Sequence, residues 1–186
     1  MKVYGRKTKH EGYFRFQIVG TTAGLKELLC AKDSVNLLIY NTESRKVILV
    51  EQARVAMIRE DNPEGYIVEL IAGRCDKNMM PKEIAAAEAF EEAGVLILPT
   101  EIELLNFGIP MATSAGSTDE RALLMYGETR NAYMDMTKEV FGLESEREVT
   151  RRILIPVDEL EQYPCQDIRT FALIQWFLRR RLEKTA

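Results

Sequence analysis

The chain has 186 residues, with 29 Asp and Glu against 25 Lys and Arg, three Cys and one His. That length suits one domain with a small appendage, and 46% hydrophobic residues can fill a core, which excludes intrinsic disorder. A net charge of −4 and a pI near 5.3 argue against nucleic-acid binding, lone His10 leaves little for imidazole chemistry, and Cys30, Cys75 and Cys165 suit neither a disulfide framework nor a zinc site. Carboxylates are therefore the leading chemical groups.

Residues 1–20 are broken by Lys2, Arg6, Lys7, Lys9, Glu11 and Arg15, and no apolar run in the chain approaches the ~20 residues of a membrane span. A reducing, cytoplasmic setting without membrane or nucleic-acid partners is expected. Alternation in Tyr13-Phe-Arg-Phe-Gln-Ile-Val predicts one or two strands within residues 1–30. Val35–Tyr40 and Lys46–Gln52, around the polar cluster Asn41–Ser44, predict a β-hairpin. Tyr66–Ile71 reads as a strand ending at Ala72-Gly73. Pro81–Ala93 reads as a helix, with Pro81 in its first turn and Gly94 just past its end. Strands are predicted around Ile102–Phe107, Ala122–Tyr126 and Arg152–Pro156, then a short helix over Val157–Gln162. A longer helix, Ile168–Leu182, carries Trp176 as a core residue and ends in Arg179-Arg-Arg, a solvated terminus favoured by the helix dipole. This order gives an α+β or mixed-sheet α/β layout.

The first helix holds the most information. On a 3.6-residue period, Ala86, Ala89, Phe90 and Ala93 share one face, and Glu88, Glu91 and Glu92 the roughly opposite one. A solvated acidic side would explain the spacing, but the local energetics oppose it. Glu88 faces Glu91 and Glu92 at i,i+3 and i,i+4, where like charges cost about 0.2–0.5 kcal/mol per pair. No Lys or Arg stands three or four residues from any of the three. Glu91 and Glu92 also occupy the last turn, where the dipole disfavours anions by about 0.3–1 kcal/mol each. A bound divalent cation would resolve both costs, because carboxylate oxygens and waters are what Mg²⁺ prefers.

Gly73 followed by Ala87-Glu-Ala-Phe-Glu-Glu-Ala-Gly-Val resembles the Nudix box, GX5EX7REUXEEXGU, with U a bulky aliphatic residue. Gly73, Glu88, Glu91, Glu92, Gly94 and Val95 match; Met79 stands at the first Glu, Ala87 at the Arg, and Ala89 at the first U. Glu69-Leu-Ile-Ala-Gly and Glu51-Gln-Ala-Arg54 resemble the ADP-ribose and nucleoside-diphosphate-sugar pyrophosphatase branch of that family. Ser114-Ala-Gly-Ser-Thr-Asp-Glu-Arg121 resembles its substrate loop, with Ala115 and Ser117 in place of a Pro and a Gly, and Gly142-Leu-Glu-Ser-Glu-Arg-Glu148 its acidic catalytic loop. The resemblance covers roughly residues 33–180.

The resemblance implies an α+β fold, a mixed-sheet α/β/α sandwich over residues 33–186, preceded by a small N-terminal β-subdomain, residues 1–32, that mediates homodimerisation. It implies Mg²⁺-dependent (or Mn²⁺-dependent) cleavage of the pyrophosphate in ADP-ribose or a related nucleoside diphosphate derivative, giving a nucleoside monophosphate and a sugar phosphate. Glu88, Glu92, Glu148 and the Ala72 carbonyl would hold metal, with Glu91 a ligand or close neighbour. Glu146 would take the proton from water, although Glu146 and Glu148 can exchange roles. Arg54, Glu69 and Glu120 would face the substrate. The departures at Met79 and Ala87 define the alternative, a catalytically weakened nucleotide-binding or regulatory module on the same scaffold.

Overall fold

Three strands, Val3–Glu11 (β1), Arg15–Thr21 (β2) and Gly24–Cys30 (β3), form an antiparallel sheet in the order β1-β2-β3. This is one strand more than the alternation predicts, because Leu28-Leu29-Cys30 breaks period two and hides β3. Gly24, at φ 92°, makes the tight reversal between β2 and β3 that a side chain would strain. β1 is exposed along its whole length, whereas β2 buries Gln17, Val19 and Thr21. The computed structural model describes residues 1–76, 78–143 and 149–185.

The remaining strands build a nine-stranded mixed sheet. They are Ser34–Asn41 (β4), Lys46–Ala53 (β5), Tyr66–Glu69 (β6), Ile71–Arg74 (β7), Glu103–Leu104 (β8), Met111–Ala112 (β9), Arg121–Thr129 (β10), Val140–Phe141 (β11) and Thr150–Pro156 (β12). The order is β11-β12-β5-β4-β10-β8, with β6 added to β5, β7 to β4 and β9 to β10. β4 and β10 run parallel, and the other pairings are antiparallel. The predicted β4–β5 hairpin forms, and Asn41 Oδ1 closes its turn by accepting from the Glu43 and Ser44 amides at 3.0 and 2.9 Å.

Every residue of β4 is buried, because a helix covers each face of the sheet. Val35, Leu37 and Ile39 pack toward helix Pro81–Ala93 (α1) with Ile48, Val50, Ile84, Ala85 and Ala89. Leu38 and Tyr40 pack toward helix Ile168–Thr185 (α2) with Leu49, Leu173, Ile174 and Phe177. The architecture is α+β, two helical layers on a mixed sheet. Among the described residues no helix is long and apolar enough to cross a membrane.

Two predicted strands change form. The run Tyr66–Ile71 breaks at Leu70, where the chain leaves β5 for β4, and the Leu70 amide bonds Thr170 Oγ1 at 3.1 Å instead of a strand. The predicted strand Ile102–Phe107 keeps only β8, because Asn106, Phe107 and Gly108 take φ of 51°, 55° and 74° in a 3₁₀ turn that leaves Phe107 exposed. The short helix Val157–Gln162 is a 3₁₀ helix. The arginines ending α2 are not simply solvated. Arg180 lies 4.9 Å from the Trp176 ring and 5.2 Å from the Tyr126 ring, and Arg181 stacks on Tyr40 and donates to its hydroxyl at 3.1 Å. Trp176 is half-buried between that guanidinium and the core.

Candidate active site

Helix α1 begins and ends where its punctuation places it. The Met80 amide donates to Glu83 Oε2 at 2.8 Å, and Gly94 terminates the helix in the left-handed region at φ 63°. Its faces differ from the prediction. The sheet side carries Ile84, Ala85, Ala89 and Ala93 together with Glu88, 8% exposed, and Glu92, 1% exposed, while Phe90 is 54% exposed. The rows 84-88-92 and 85-89-93 run side by side along a helix, so burying the second brings the first to the sheet with it. Glu91 stays half-buried. The acidic pair therefore does not occupy a solvated back; it is pressed against the protein.

These carboxylates meet β7 just beyond the strand break at Leu70. Glu92 Oε2 accepts the Ala72 amide of β7 at 3.0 Å. Glu88 runs past Gly73 so closely that a Cβ there would meet Glu88 Oε1 and stand 2.5 Å from its Cγ. Glycine at residue 73 is thus required by close approach, its φ being ordinary. The cation that the helix end lacks locally arrives from β12. Buried Arg152 donates from Nη1 to the Ala93 carbonyl at 2.8 Å and from Nη2 to the Lys138 carbonyl at 3.0 Å. Thr150 Oγ1 donates to the Glu92 carbonyl at 2.8 Å. Burial lowers the Arg152 pKa, with Asp135 and Glu139 opposing, and the group keeps its charge. Local sequence does not reveal this partner, because it lies 59 residues from Ala93.

A cleft of about 250 Å³ opens beside Glu88, Ala72 and Gly73. Its walls bring Lys32, Arg54, Arg74 and Arg169 together with Asp76 and Glu120, and the β1–β2 turn supplies Tyr13 and Phe14. Of the residues expected to face substrate, Arg54 and Glu120 line it. Glu69 is buried behind, its Oε1 bonded to Arg54 Nε at 2.7 Å and its Oε2 lying 3.6 Å from Arg169 Nη2. Arg169 is the residue that sequence reasoning missed. It stands in the first turn of α2, where Asp167 Oδ2 accepts the Thr170 amide at 2.8 Å and caps the helix. Arg74 stacks on Tyr13 at 4.0 Å. Cys75, beside the cleft, has its thiol pushed up first by burial and then by Asp33 and Asp76, so it stays protonated and is a poor nucleophile.

The loop over residues 113–120 closes one side. Ser114 and Ser117 hydroxyls meet at 2.8 Å, and the Ser117 amide bonds the Ser114 carbonyl at 3.0 Å, so the loop bonds across its own turn at the substituted residue 117. Strand β3 holds this loop: the Leu29 amide donates to the Ser117 carbonyl at 2.9 Å and the Ala31 amide to Asp119 Oδ1 at 2.8 Å. Glu146 and Glu148 lie outside the described residues. At the two departures from the box, Met79 is 40% exposed and Ala87 half-buried. Among the described residues no three acidic, His or Cys side chains gather closely enough to hold a metal by themselves. The donors present, two buried carboxylates beside the Ala72 backbone, are all oxygen and fit a hard divalent ion better than a soft one.

No protein-family model matches the chain. Curated relatives do. An ADP-ribose pyrophosphatase of Haemophilus influenzae is 28% identical over 178 residues, 89% of this chain and 78% of its own length. The ADP-ribose pyrophosphatase of Escherichia coli K12 is 25% identical over 175 residues, 88% of this chain and 78% of its own. A GDP-mannose pyrophosphatase of Cronobacter sakazakii is 29% identical over 143 residues, 75% and 70% of the two chains. These relatives, pyrophosphatases by name, support a hydrolase.

Proposed function

We propose that the protein hydrolyses the pyrophosphate bond of ADP-ribose or a related nucleoside diphosphate sugar with Mg²⁺ or Mn²⁺, releasing a nucleoside monophosphate and a sugar phosphate. One observation carries the reading: two carboxylates of a single helix, Glu88 and Glu92, are buried against the sheet beside a cleft that gathers four cationic side chains. Burying carboxylates on the core side of a helix is costly unless another charge or ligand compensates. The relatives' shared pyrophosphatase chemistry supplies a reason for it.

Glu88, Glu92 and the Ala72 carbonyl, with Glu148, would hold the ion, and Glu91 would lie next to it. When bound, the ion neutralises phosphate charge and lowers the pKa of the attacking water. Glu146 would accept the proton of that water, a role it shares by position with Glu148. Arg54 sits where it can offset diphosphate charge, and Glu69 fixes its guanidinium and that of Arg169. Glu120 would face the sugar. The Met79 and Ala87 departures lie at supporting positions of the box and leave Glu88 and Glu92 in place.

Exposed edge strand β1 supports a homodimer formed through the N-terminal sheet, residues 1–32, ahead of the catalytic domain. Three free thiols suit a reducing cytoplasm. The test is hydrolysis of a nucleoside diphosphate sugar panel with and without Mg²⁺. Turnover of at least one member only with metal is expected. Nucleotide binding without product from any member would move the reading to the regulatory module.

A further inference from the structure

Glu120 ends the loop over residues 113–120 and precedes β10. Its carboxylate is held by two elements that are remote in sequence. From β4, the Ser34 hydroxyl donates to Glu120 Oε1 at 2.9 Å. Asn36, 1% exposed, donates its own Nδ2–H to Ser34 Oγ at 3.1 Å. With that amide on the acceptor side of the hydroxyl, the serine proton is directed at Glu120. From α2, Arg169 Nη1 stands 3.9 Å from the same Oε1. Arg169 is itself constrained, with Asp167 Oδ1 at 3.2 Å and Glu69 Oε2 at 3.6 Å, and Asp167 is fixed by capping α2.

Both contacts fall on Oε1, and among the described residues no hydrogen bond falls on Oε2. Glu120 lines the cleft, so Oε2 is the acceptor that it can offer a ligand. A carboxylate held this way can accept from a ligand hydroxyl, and the guanidinium beside it keeps the acceptor oxygen aimed into the cleft. An acceptor aimed at a ligand hydroxyl loses that partner when the ligand lacks one, and the difference discriminates between ligands.

We propose that Arg169 and Ser34 are positioning residues that lock Glu120 for recognition of a hydroxyl on the sugar beyond the pyrophosphate. The proposal rests on the pyrophosphatase reading. It makes Arg169 a determinant of which group the diphosphate carries, acting through Glu120 and not on the scissile bond.

The test uses the full chain with Mg²⁺ and methylene-bridged analogues of ADP-ribose and ADP, which lack the P–O–P bond and cannot turn over. Arg169→Met is expected to weaken the ADP-ribose analogue about tenfold and the ADP analogue less than about twofold. Arg169→Lys recovers part of the loss, and Ser34→Ala reproduces its direction. In the Glu120→Gln background, Arg169→Met adds less than about twofold for either ligand. Equal weakening of both analogues, or an undiminished loss once Glu120 is Gln, overturns the proposal and leaves the pyrophosphatase reading standing. Wild-type protein that binds neither analogue overturns that reading, and the proposal with it. Melting temperatures identify a variant that fails to fold, and Ser34→Ala, on a different element, then decides alone.

Discussion

The two helices cover opposite faces of one sheet and do so with different chemistry. α2 presents Leu173, Ile174 and Phe177 to the sheet and keeps Arg180 and Arg181 at the rim, where they stack on Tyr40, Tyr126 and Trp176. α1 presents only Ile84 and small alanines, and places Glu88 and Glu92 on the same buried side. One layer follows the stability rule of apolar inside and cation near the C-terminus. The other departs from it, and the departure is concentrated where the strand breaks, Gly73 clears space and the cleft opens. Local rules tend to be broken at functional sites, and the contrast marks the proposed site without reference to any relative.

The contrast can be broken by substitution. The largest effect belongs to the α2 layer: Phe177→Ala removes a 2% exposed ring and should cost about 3–5 kcal/mol of stability by denaturant unfolding. Its effect on Mg²⁺ affinity of the remaining folded protein should be small. A large loss of metal binding there would mean that the two layers are not separable. Next is Arg152→Met, which leaves the Ala93 and Lys138 carbonyls without their donor and should cost about 1–3 kcal/mol. A stability unchanged within error would show that the helix end finds its compensation elsewhere.

Local signals reached some features and not others. The limits of α1 were legible because Pro81 and Gly94 mark both ends with backbone constraints that need no tertiary partner. The β4–β5 hairpin was legible because Asn41 satisfies its own turn. The buried face of α1 is rotated from the expected one: Ala89 and Ala93 lie on it as expected, while Phe90 leaves it and Glu88 and Glu92 join it. Phe90 outweighs any single alanine in an apolar pattern, yet the close-packed sheet accepts Ala85, Ala89 and Ala93 and leaves the ring outside. The break at Leu70 was hidden because strand-forming apolar residues, Ile67 and Val68 before it and Ile71 after it, flank it on both sides. Arg152 and Arg169 escaped notice for a common reason: Arg152 meets α1 and Arg169 meets Glu69 across long sequence separations that no window spans. The glutamates themselves were found by their repulsion, a signal internal to one helix.

The central claim is that Glu88 and Glu92 are buried for metal-dependent chemistry and not for stability. Glu92→Gln tests it most directly, with hydrolysis of the best panel substrate under saturating Mg²⁺ measured alongside the melting temperature. The account predicts that hydrolysis falls by at least about 100-fold while the melting temperature holds within a few degrees, because Gln keeps the side chain's shape and an acceptor for the Ala72 amide. Unchanged hydrolysis, or a loss of activity explained fully by unfolding, would contradict it.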